Sequence, residues 1–293
     1  MSIESNLTVL IPAFNEVENL RILLPQWIQL CSTRNWKLIL VDDGSTDDTR
    51  EFLKGFAVDE CFKLIRHKLN KGYGAAIKSG IQQCNSSYCI TIDADGQHQF
   101  SDVVKLYERM VSSDADLIVG SRLGSKSASQ VRGIGKSIIR RLAKMLMTIP
   151  IHDLNSGMKL YQTELAKKYL HLTPDTMAYS DIIALVFINN KHLVLEEPIQ
   201  VAQRMSGKST IGIQTAFQTV MEIINIVVLF NPMKVFLPIS LLALVSSLIW
   251  GIPLMLKGYG VSTGTLLGII SAVIFFVLGL IAEQLTLIRK NQK

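Results

Sequence analysis

The chain has 293 residues, 48% of them hydrophobic, with 30 Lys and Arg against 24 Asp and Glu and a formal net charge of +6. That length holds one large α/β domain plus an appendage, and a mean hydropathy of +0.30 is high for a wholly water-soluble enzyme. The positive balance suits an anionic membrane surface or phosphate-bearing substrates as much as nucleic acid, and no nucleic-acid-binding motif is present.

In chain order, Leu7–Ile11 reads as a strand and Glu16–Cys31 as a helix containing Pro25. Leu38–Val41 is the next strand and Thr46–Phe56 a helix, with Ser45 and Thr46 as its capping residues and Asp47 and Asp48 in its first turn. Phe62–Arg66 is a short strand, and Gly74–Gln83 a helix with Gly72 and Gly74 at its start. Tyr88–Ile92 is a strand, Ser101–Ser112 a helix and Asp116–Gly120 a strand. This alternation predicts an α/β fold with a mostly parallel sheet covered by helices on both faces. Ligands of such sheets bind outside the carboxyl ends of the strands. The polar clusters fall there: Pro12-Ala-Phe-Asn-Glu16, Asp42-Asp-Gly-Ser-Thr-Asp47, Asn70-Lys-Gly72, Asp93-Ala-Asp95 and Gly120-Ser-Arg122.

Further on, Arg132, Lys136, Arg140 and Lys144 recur every four residues and would form one basic stripe on a helix over Gln130–Met147. A solvated face and a surface for lipid phosphates are both open. Gln214, Gln218, Glu222 and Asn225 make a narrow polar stripe in the apolar segment Ile211–Phe230, which suits a helix in the membrane interface or in an oligomer contact. Val235–Leu256 and Gly258–Ala282 carry no charge and are each long enough to cross a bilayer. They predict a transmembrane hairpin, with spans at about 235–256 and 264–285 and a break around Lys257-Gly258-Tyr259-Gly260. The expected organisation is a main domain over 1–210, an interfacial helix over 211–232, and the hairpin with a basic tail over 233–293.

Met1–Asn6 lacks an apolar leader, so the main domain is expected in the cytoplasm. Lys234, Arg289, Lys290 and Lys293 on that side, against Lys257 alone on the other, place both termini there, in a multi-pass protein of the inner membrane. Cys31, Cys61, Cys84 and Cys89 lack a zinc-like arrangement and fit structural thiols in a reducing compartment.

Asp93 and Asp95 are the most informative pair. They follow an apolar β-branched run one residue apart, and on a continuing strand they would share a face. Paired hard oxygen ligands suit Mg²⁺ or Mn²⁺ that also holds a substrate's phosphates, although an acidic turn after a buried strand is the plain alternative. Asp43, with Asp42 and Gly44, suits recognition of a base or ribose. Lys71-Gly72-Tyr73-Gly74 lacks the Walker and dinucleotide patterns, and its glycines read first as backbone permissiveness.

The ordered set Pro12-Ala-Phe-Asn-Glu16, Val41-Asp-Asp-Gly-Ser45, Asn70-Lys-Gly72 and Asp93-Ala-Asp-Gly-Gln97 resembles the family 2 glycosyltransferases with the GT-A fold. Gly120-Ser-Arg122, Asp153-Leu-Asn-Ser-Gly157, Glu197-Pro-Ile199 and Arg204-Met-Ser-Gly-Lys-Ser209 extend the resemblance to the dolichol-phosphate mannose synthase and bacterial polyprenyl-phosphate branch. It covers roughly residues 7–212, and the terminal hairpin is similar to that of bacterial membrane-anchored members. The resemblance implies that Pro12, Phe14, Glu16, Val41 and Asp43 hold the nucleoside of a nucleotide sugar. It implies that Asp93, Asp95 and Gln97 hold a divalent metal at the diphosphate, with Ala94 in the donor site. Arg122, Arg204 and the basic stripe would meet phosphates of donor and acceptor, and Asp153 would sit near the acceptor and the reacting carbon. Asp95, Arg122, Asp153 and Arg204 are thus the implied catalytic set. Thr210 departs from the pattern, since some relatives carry lysine there; Lys208 lies two residues away, off the same helical face.

The expected activity is inverting transfer of one sugar, from a UDP-hexose to a polyprenyl phosphate such as undecaprenyl phosphate. Transfer to another lipid or a growing glycan, and a non-catalytic membrane scaffold, are the alternatives. A homo-oligomer is a further expectation, from apolar helix faces near the membrane.

Overall fold

The structure is a computed structural model and describes residues 6–56, 60–122, 150–200, 228 and 231–291. The described residues fall into two units, residues 6–122 with 150–200, and residues 231–291. The expected interfacial helix, the basic stripe, Arg204, Lys208 and Thr210 lie outside the described residues.

The first unit is a seven-stranded sheet in the order β3-β2-β1-β4-β6-β5-β7. Its strands are β1 (Leu7–Ala13), β2 (Lys37–Asp42), β3 (Phe62–Arg66), β4 (Tyr88–Thr91), β5 (Leu117–Ser121), β6 (Lys159–Gln162) and β7 (Val194–Pro198). β1 pairs in parallel with β2 and β4, β2 with β3, and β5 with β7. Only β6 runs against its neighbours, pairing antiparallel with β4 and β5. The mostly parallel expectation holds. Near-continuous apolar runs such as Leu7–Ala13, buried at every position, are what a strand covered on both faces requires.

Alternation along the strands sorts two layers. On one face, Leu7, Val9, Ile11, Leu38, Leu40, Ile90, Ile118, Met158 and Leu160 pack with Leu20, Leu24 and Trp27 of α1 (Val17–Thr33) and Val103, Leu106 and Met110 of α4 (Phe100–Ser113). α2 (Thr49–Leu53) adds Leu53 to this layer. The other face is covered by α3 (Tyr73–Gln82), α5 (Thr163–Tyr169) and α6 (Tyr179–Asn189). There a Cβ on Gly80 of α3 would strike the Leu10 side chain, so glycine lets this helix lie close on β1. Tyr161 meets Phe187 of α6 with ring centroids 6.3 Å apart, and Phe187 meets His192 at 5.3 Å.

Two local expectations change. α2 begins at Thr49 rather than Thr46, and a 3-10 turn takes over at Lys54–Phe56. Ser45 and Thr46 do not cap it. The Ser45 hydroxyl accepts the Asn15 N–H at 3.0 Å, and the Thr46 N–H donates to Asn15 Oδ1 at 2.8 Å. The long-range partner wins because Asn15, at φ 55, aims its amide across the loop. Likewise β4 ends at Thr91, so strand alternation does not set the directions of Asp93 and Asp95; a turn at Ala94–Asp95 does.

The second unit is a hairpin of α7 (Met233–Leu256) and α8 (Thr263–Asn291), both long and apolar enough to cross a membrane. Gly258 and Gly260, at φ 85 and 74, make the reversal where the break was expected. The helices meet at small residues: a Cβ on Gly251 would strike Thr265, and one on Gly268 would strike Ser247. The Ser240 hydroxyl donates across the pair to the Ala272 carbonyl at 2.7 Å. Outward side chains are large and apolar, with Leu242 73% and Ile249 71% exposed. A surface of this kind has no favourable place in water and suits lipid.

Candidate active site

The strand order reverses at β1, where β2 and β3 lie to one side and β4 to the other. That is the switch point at which open α/β sheets leave a crevice. A cavity of ≈ 380 Å³ lies there, within the usual size of ligand pockets. Pro12, Ala13, Phe14 and Glu16 wall it from the β1 end, and Asp43 from the β2 end. Asn70, Gly72, Tyr73 and Ala76 come from the entry to α3, and Asp93, Ala94 and Asp95 from the loop after β4. Asn155, Gly157, Met177 and Ser180 close it from later in the chain.

Asp43 is buried and heavily bonded. Its Oδ1 accepts the Lys71 N–H at 2.9 Å and meets His67 Nδ1 at 2.6 Å, and its Oδ2 accepts the Gly72 N–H at 2.8 Å. His67 in turn reaches the Ser79 hydroxyl through Nε2 at 2.8 Å. A carboxylate offers about four acceptor positions, so roughly one is left for a ligand. Gly72 can make its bond because φ 103 turns the chain sharply, and a Cβ there would strike the Asp175 carbonyl.

The Asp93 carboxylate is held more loosely. Asp93 Oδ1 accepts the Tyr73 hydroxyl at 2.9 Å, while the Asp93 N–H donates to His98 Nδ1 at 3.0 Å. The carboxylate rests against Gly157, where a Cβ would strike both oxygens, so glycine at 157 is required by this approach. Asp95 Oδ1 accepts the Gln97 N–H at 3.1 Å, the bond that shapes the turn. Burial and the neighbouring Asp93 charge raise the Tyr73 phenol well above its ordinary value, so it stays protonated and donates.

Beside the cavity, Arg122 grips Asp153. Its Nε donates to Oδ2 and its Nη2 to Oδ1, both at 2.7 Å, and the Arg122 N–H adds a bond of 3.2 Å. Nη2 also reaches the Asn155 carbonyl at 3.4 Å, which ties the pair to the cavity wall. Burial raises the Asp153 carboxyl, but the Arg122 bonds outweigh it and leave it below the usual carboxylate range. Glu196 orients this loop, accepting the His152 and Asp153 N–H groups, each at 2.9 Å. Its carboxyl is also lowered, because bonds from Ser121 and His152 outweigh its burial.

Lys159 lies under the site, on the face of β6 covered by α6, and is 0% exposed. Its ammonium donates to the Ser156 carbonyl. Burial pushes it down to about 8, against the opposing fields of Asp181, Asp153 and Asp93.

The fold therefore brings Pro12, Phe14, Glu16, Asp43, Asp93, Ala94 and Asp95 to one cavity, as the sequence motifs imply. Gln97 shapes the Asp95 turn without lining the wall, and Arg122 and Asp153 stand just beyond it. Val41 is fully buried in the sheet, so its side chain supports the strand rather than facing the cavity. Lys159, Ser180 and Glu196 were not found by sequence reasoning, and Tyr73 and Gly157 stood there only within motifs, with no role given to their side chains or lack of one. Glu197 of the Glu-Pro-Ile motif pairs with Lys105 at 2.8 Å, and it is the preceding Glu196 that serves the site. A lysine in an otherwise apolar strand, between Met158 and Leu160, was the available signal for Lys159.

Among the described residues no group of three or more His, Cys, Asp or Glu side chains could hold a metal by itself. Two carboxylates on one cavity still fit Mg²⁺ or Mn²⁺, which keep waters and take substrate phosphates as their remaining ligands.

The description of Glycosyl transferase family 2 matches residues 8–170, and that of a GtrB C-terminal hairpin matches residues 231–288. The chain belongs to glycosyl transferase family 2 and is a glycosyltransferase carried on a membrane hairpin. It is 28% identical over 208 residues to undecaprenyl-phosphate 4-deoxy-4-formamido-L-arabinose transferase of Pectobacterium carotovorum, covering 70% of this chain and 62% of that one. It is 29% identical to polyprenol monophosphomannose synthase of Mycolicibacterium smegmatis, over 69% of this chain and 79% of that one. Dolichyl-phosphate beta-glucosyltransferase of Saccharomyces cerevisiae is 27% identical over 65% of each chain. The chain thus spans less than two thirds of the length of some of these relatives. Among solved structures, glucosyl-3-phosphoglycerate synthase from Mycobacterium tuberculosis superposes with a TM-score of 0.58 at 14% identity, over 76% of this chain and 79% of that one. The likeness at that identity shows the fold, a GT-A sheet.

Proposed function

We propose that the protein moves one hexose from a uridine-diphosphate sugar to a polyprenyl phosphate such as undecaprenyl phosphate, at the cytoplasmic face of the inner membrane, with inversion at the anomeric carbon. Relatives named for undecaprenyl, dolichyl and polyprenol phosphates support the acceptor class. A crystal structure of glucosyl-3-phosphoglycerate synthase from Mycobacterium tuberculosis in complex with Mn²⁺, UDP-glucose and phosphoglyceric acid, which shares the fold, supports the donor class.

Phe14, 42% exposed at the cavity rim, offers a ring face to the nucleobase, and the remaining acceptor position of Asp43 suits a base N–H or ribose hydroxyl. Asp93 and Asp95 would hold a divalent cation, with Gln97 shaping the turn that carries Asp95. When bound, that cation offsets charge building on the leaving diphosphate. Arg122 and Arg204 would add positive charge for donor and acceptor phosphates.

The observation that carries the acceptor is the Arg122–Asp153 pair. A carboxylate held ionised by two guanidinium bonds is a weak base. It suits an acceptor that arrives already ionised, as a phosphomonoester does, rather than a hydroxyl that must lose its proton. Asp153 would then act as a fixed anion that orients Arg122 and meets oxocarbenium charge at the reacting carbon.

The test is a panel of radiolabelled nucleotide sugars with the purified full chain and undecaprenyl phosphate, followed by lipid extraction. One UDP-hexose should label the lipid. Equal labelling of diacylglycerol, or of a glycan acceptor alone, would overturn the acceptor. For orientation, Tyr259→Cys should react with an impermeant maleimide from outside, and Asn291→Cys only after permeabilisation; the reverse pattern would overturn the topology.

A further inference from the structure

The segment Lys71-Gly72-Tyr73 reads in sequence as permissive backbone, and the function above leaves it without a part. In the fold it spans the two acidic loops. Lys71 and Gly72 give their N–H groups to the two oxygens of Asp43, and the next residue gives its hydroxyl to Asp93 Oδ1 at 2.9 Å. The phenol is rigidly placed. Tyr73 is the first residue of α3, and that end of the helix is tied down by the Ala75 N–H bond to the Asp175 carbonyl at 3.2 Å. Among the described residues no donor reaches Asp93 Oδ2, which rests beside Gly157. The two oxygens of Asp93 are therefore unequal: one is committed to a protein donor and the other is not.

We propose that Tyr73 is a positioning residue that makes Asp93 a one-oxygen ligand and so sets the cation preference of the site. This rests on the divalent-metal reading of Asp93 and Asp95. Small octahedral cations such as Mg²⁺ and Mn²⁺ take single carboxylate oxygens and complete their shells with water and phosphate. Ca²⁺ takes more oxygens and readily accepts both from one carboxylate. The hydroxyl takes one of the two lone pairs on Oδ1 and draws on that oxygen's charge, which disfavours the two-oxygen mode. It also fixes the carboxylate's rotation, as partners behind metal ligands generally do, at a cost of about 10–100-fold in affinity when they are removed.

The experiment uses the full chain in detergent with UDP present. Mn²⁺ binding is followed by its electron paramagnetic resonance signal, and Ca²⁺ by competition against it. Tyr73→Phe removes one oxygen atom and keeps the ring. It should weaken Mn²⁺ binding by about tenfold and narrow the preference for Mn²⁺ over Ca²⁺. Tyr161→Phe is the control, removing a buried hydroxyl from the same face of the sheet that is not bonded to Asp93, and should leave both readouts at the parent values. Parent-like Mn²⁺ affinity and ion preference in Tyr73→Phe would overturn the inference, as would an equal change in Tyr161→Phe, which would mean general loosening. A parent protein that binds no Mn²⁺ with UDP would overturn the metal reading itself, and this inference with it.

Discussion

Asp43 and Asp93 follow the two strands that flank β1, and both wall the same cavity, yet their surroundings differ. Asp43 is enclosed by three protein bonds from residues 67–72 and is 3% exposed. Asp93 receives one side-chain bond, and the carboxylate lies against a glycine. The first is an internal anchor that organises the entry to α3 and keeps little capacity for a ligand. Among the described residues, the second keeps oxygen capacity for a further ligand. Residue type alone does not separate two such carboxylates; the number of donors around each does.

The largest effect expected from this difference is on catalysis at the second carboxylate pair. Asp95→Asn should leave melting unchanged and reduce sugar transfer at least ~100-fold, the scale of a principal electrostatic contributor. EDTA should do the same reversibly, with Mn²⁺ restoring activity. Full activity in EDTA would break the comparison, since Asp95 would then be no more than a turn residue.

At Asp43 the larger change should be in folding. Asp43→Asn replaces one carboxylate oxygen with an N–H₂, which then faces either the Gly72 N–H or, with the amide turned, the Lys71 N–H and His67 Nδ1, leaving buried donors facing one another. Stability in detergent should fall by about 2–3 kcal/mol, the scale for losing hydrogen bonds to a charged group. Denaturant titration of the full chain measures it. A variant as stable as the parent that binds UDP poorly would mean that Asp43 serves the ligand more than the fold.

A smaller effect, of opposite sign, is expected at Lys159. Its folded pKa of about 8 lies below its ordinary value, so the unfolded chain binds more protons between about pH 8 and the ordinary lysine range. The parent therefore gains stability as pH rises through that window, and below it carries the full cost of the buried charge. Lys159→Met should be more stable than the parent by roughly 1–2 kcal/mol at pH 7, with the gap closing on the alkaline side. Melting curves of both proteins between pH 7 and pH 10 test this. A gap that widens with pH would show that the ammonium is held favourably by Asp181, Asp153 and Asp93.

Much was legible in the amino-acid sequence by itself. Apolar runs with β-branched residues placed five strands of the first unit, β1 to β5, because strand and helix periods are local. The hairpin was visible because charge-free length is a one-dimensional property, and the paired glycines marked its turn. The ordered loop motifs carried the family and the residues that meet at the cavity. Tertiary structure alone decided what each of those residues does. The antiparallel β6 enters between β4 and β5 from far along the chain and brings Lys159 beneath the site. Tyr73 and Gly157 hold Asp93 across 20 and 64 residues, Arg122 holds Asp153 across 31, and Glu196 reaches back to residues 152 and 153. The physical reason is that a buried polar group takes its state from the donors and charges packed around it. Those neighbours come from whichever segments the fold makes adjacent, at separations no local pattern encodes.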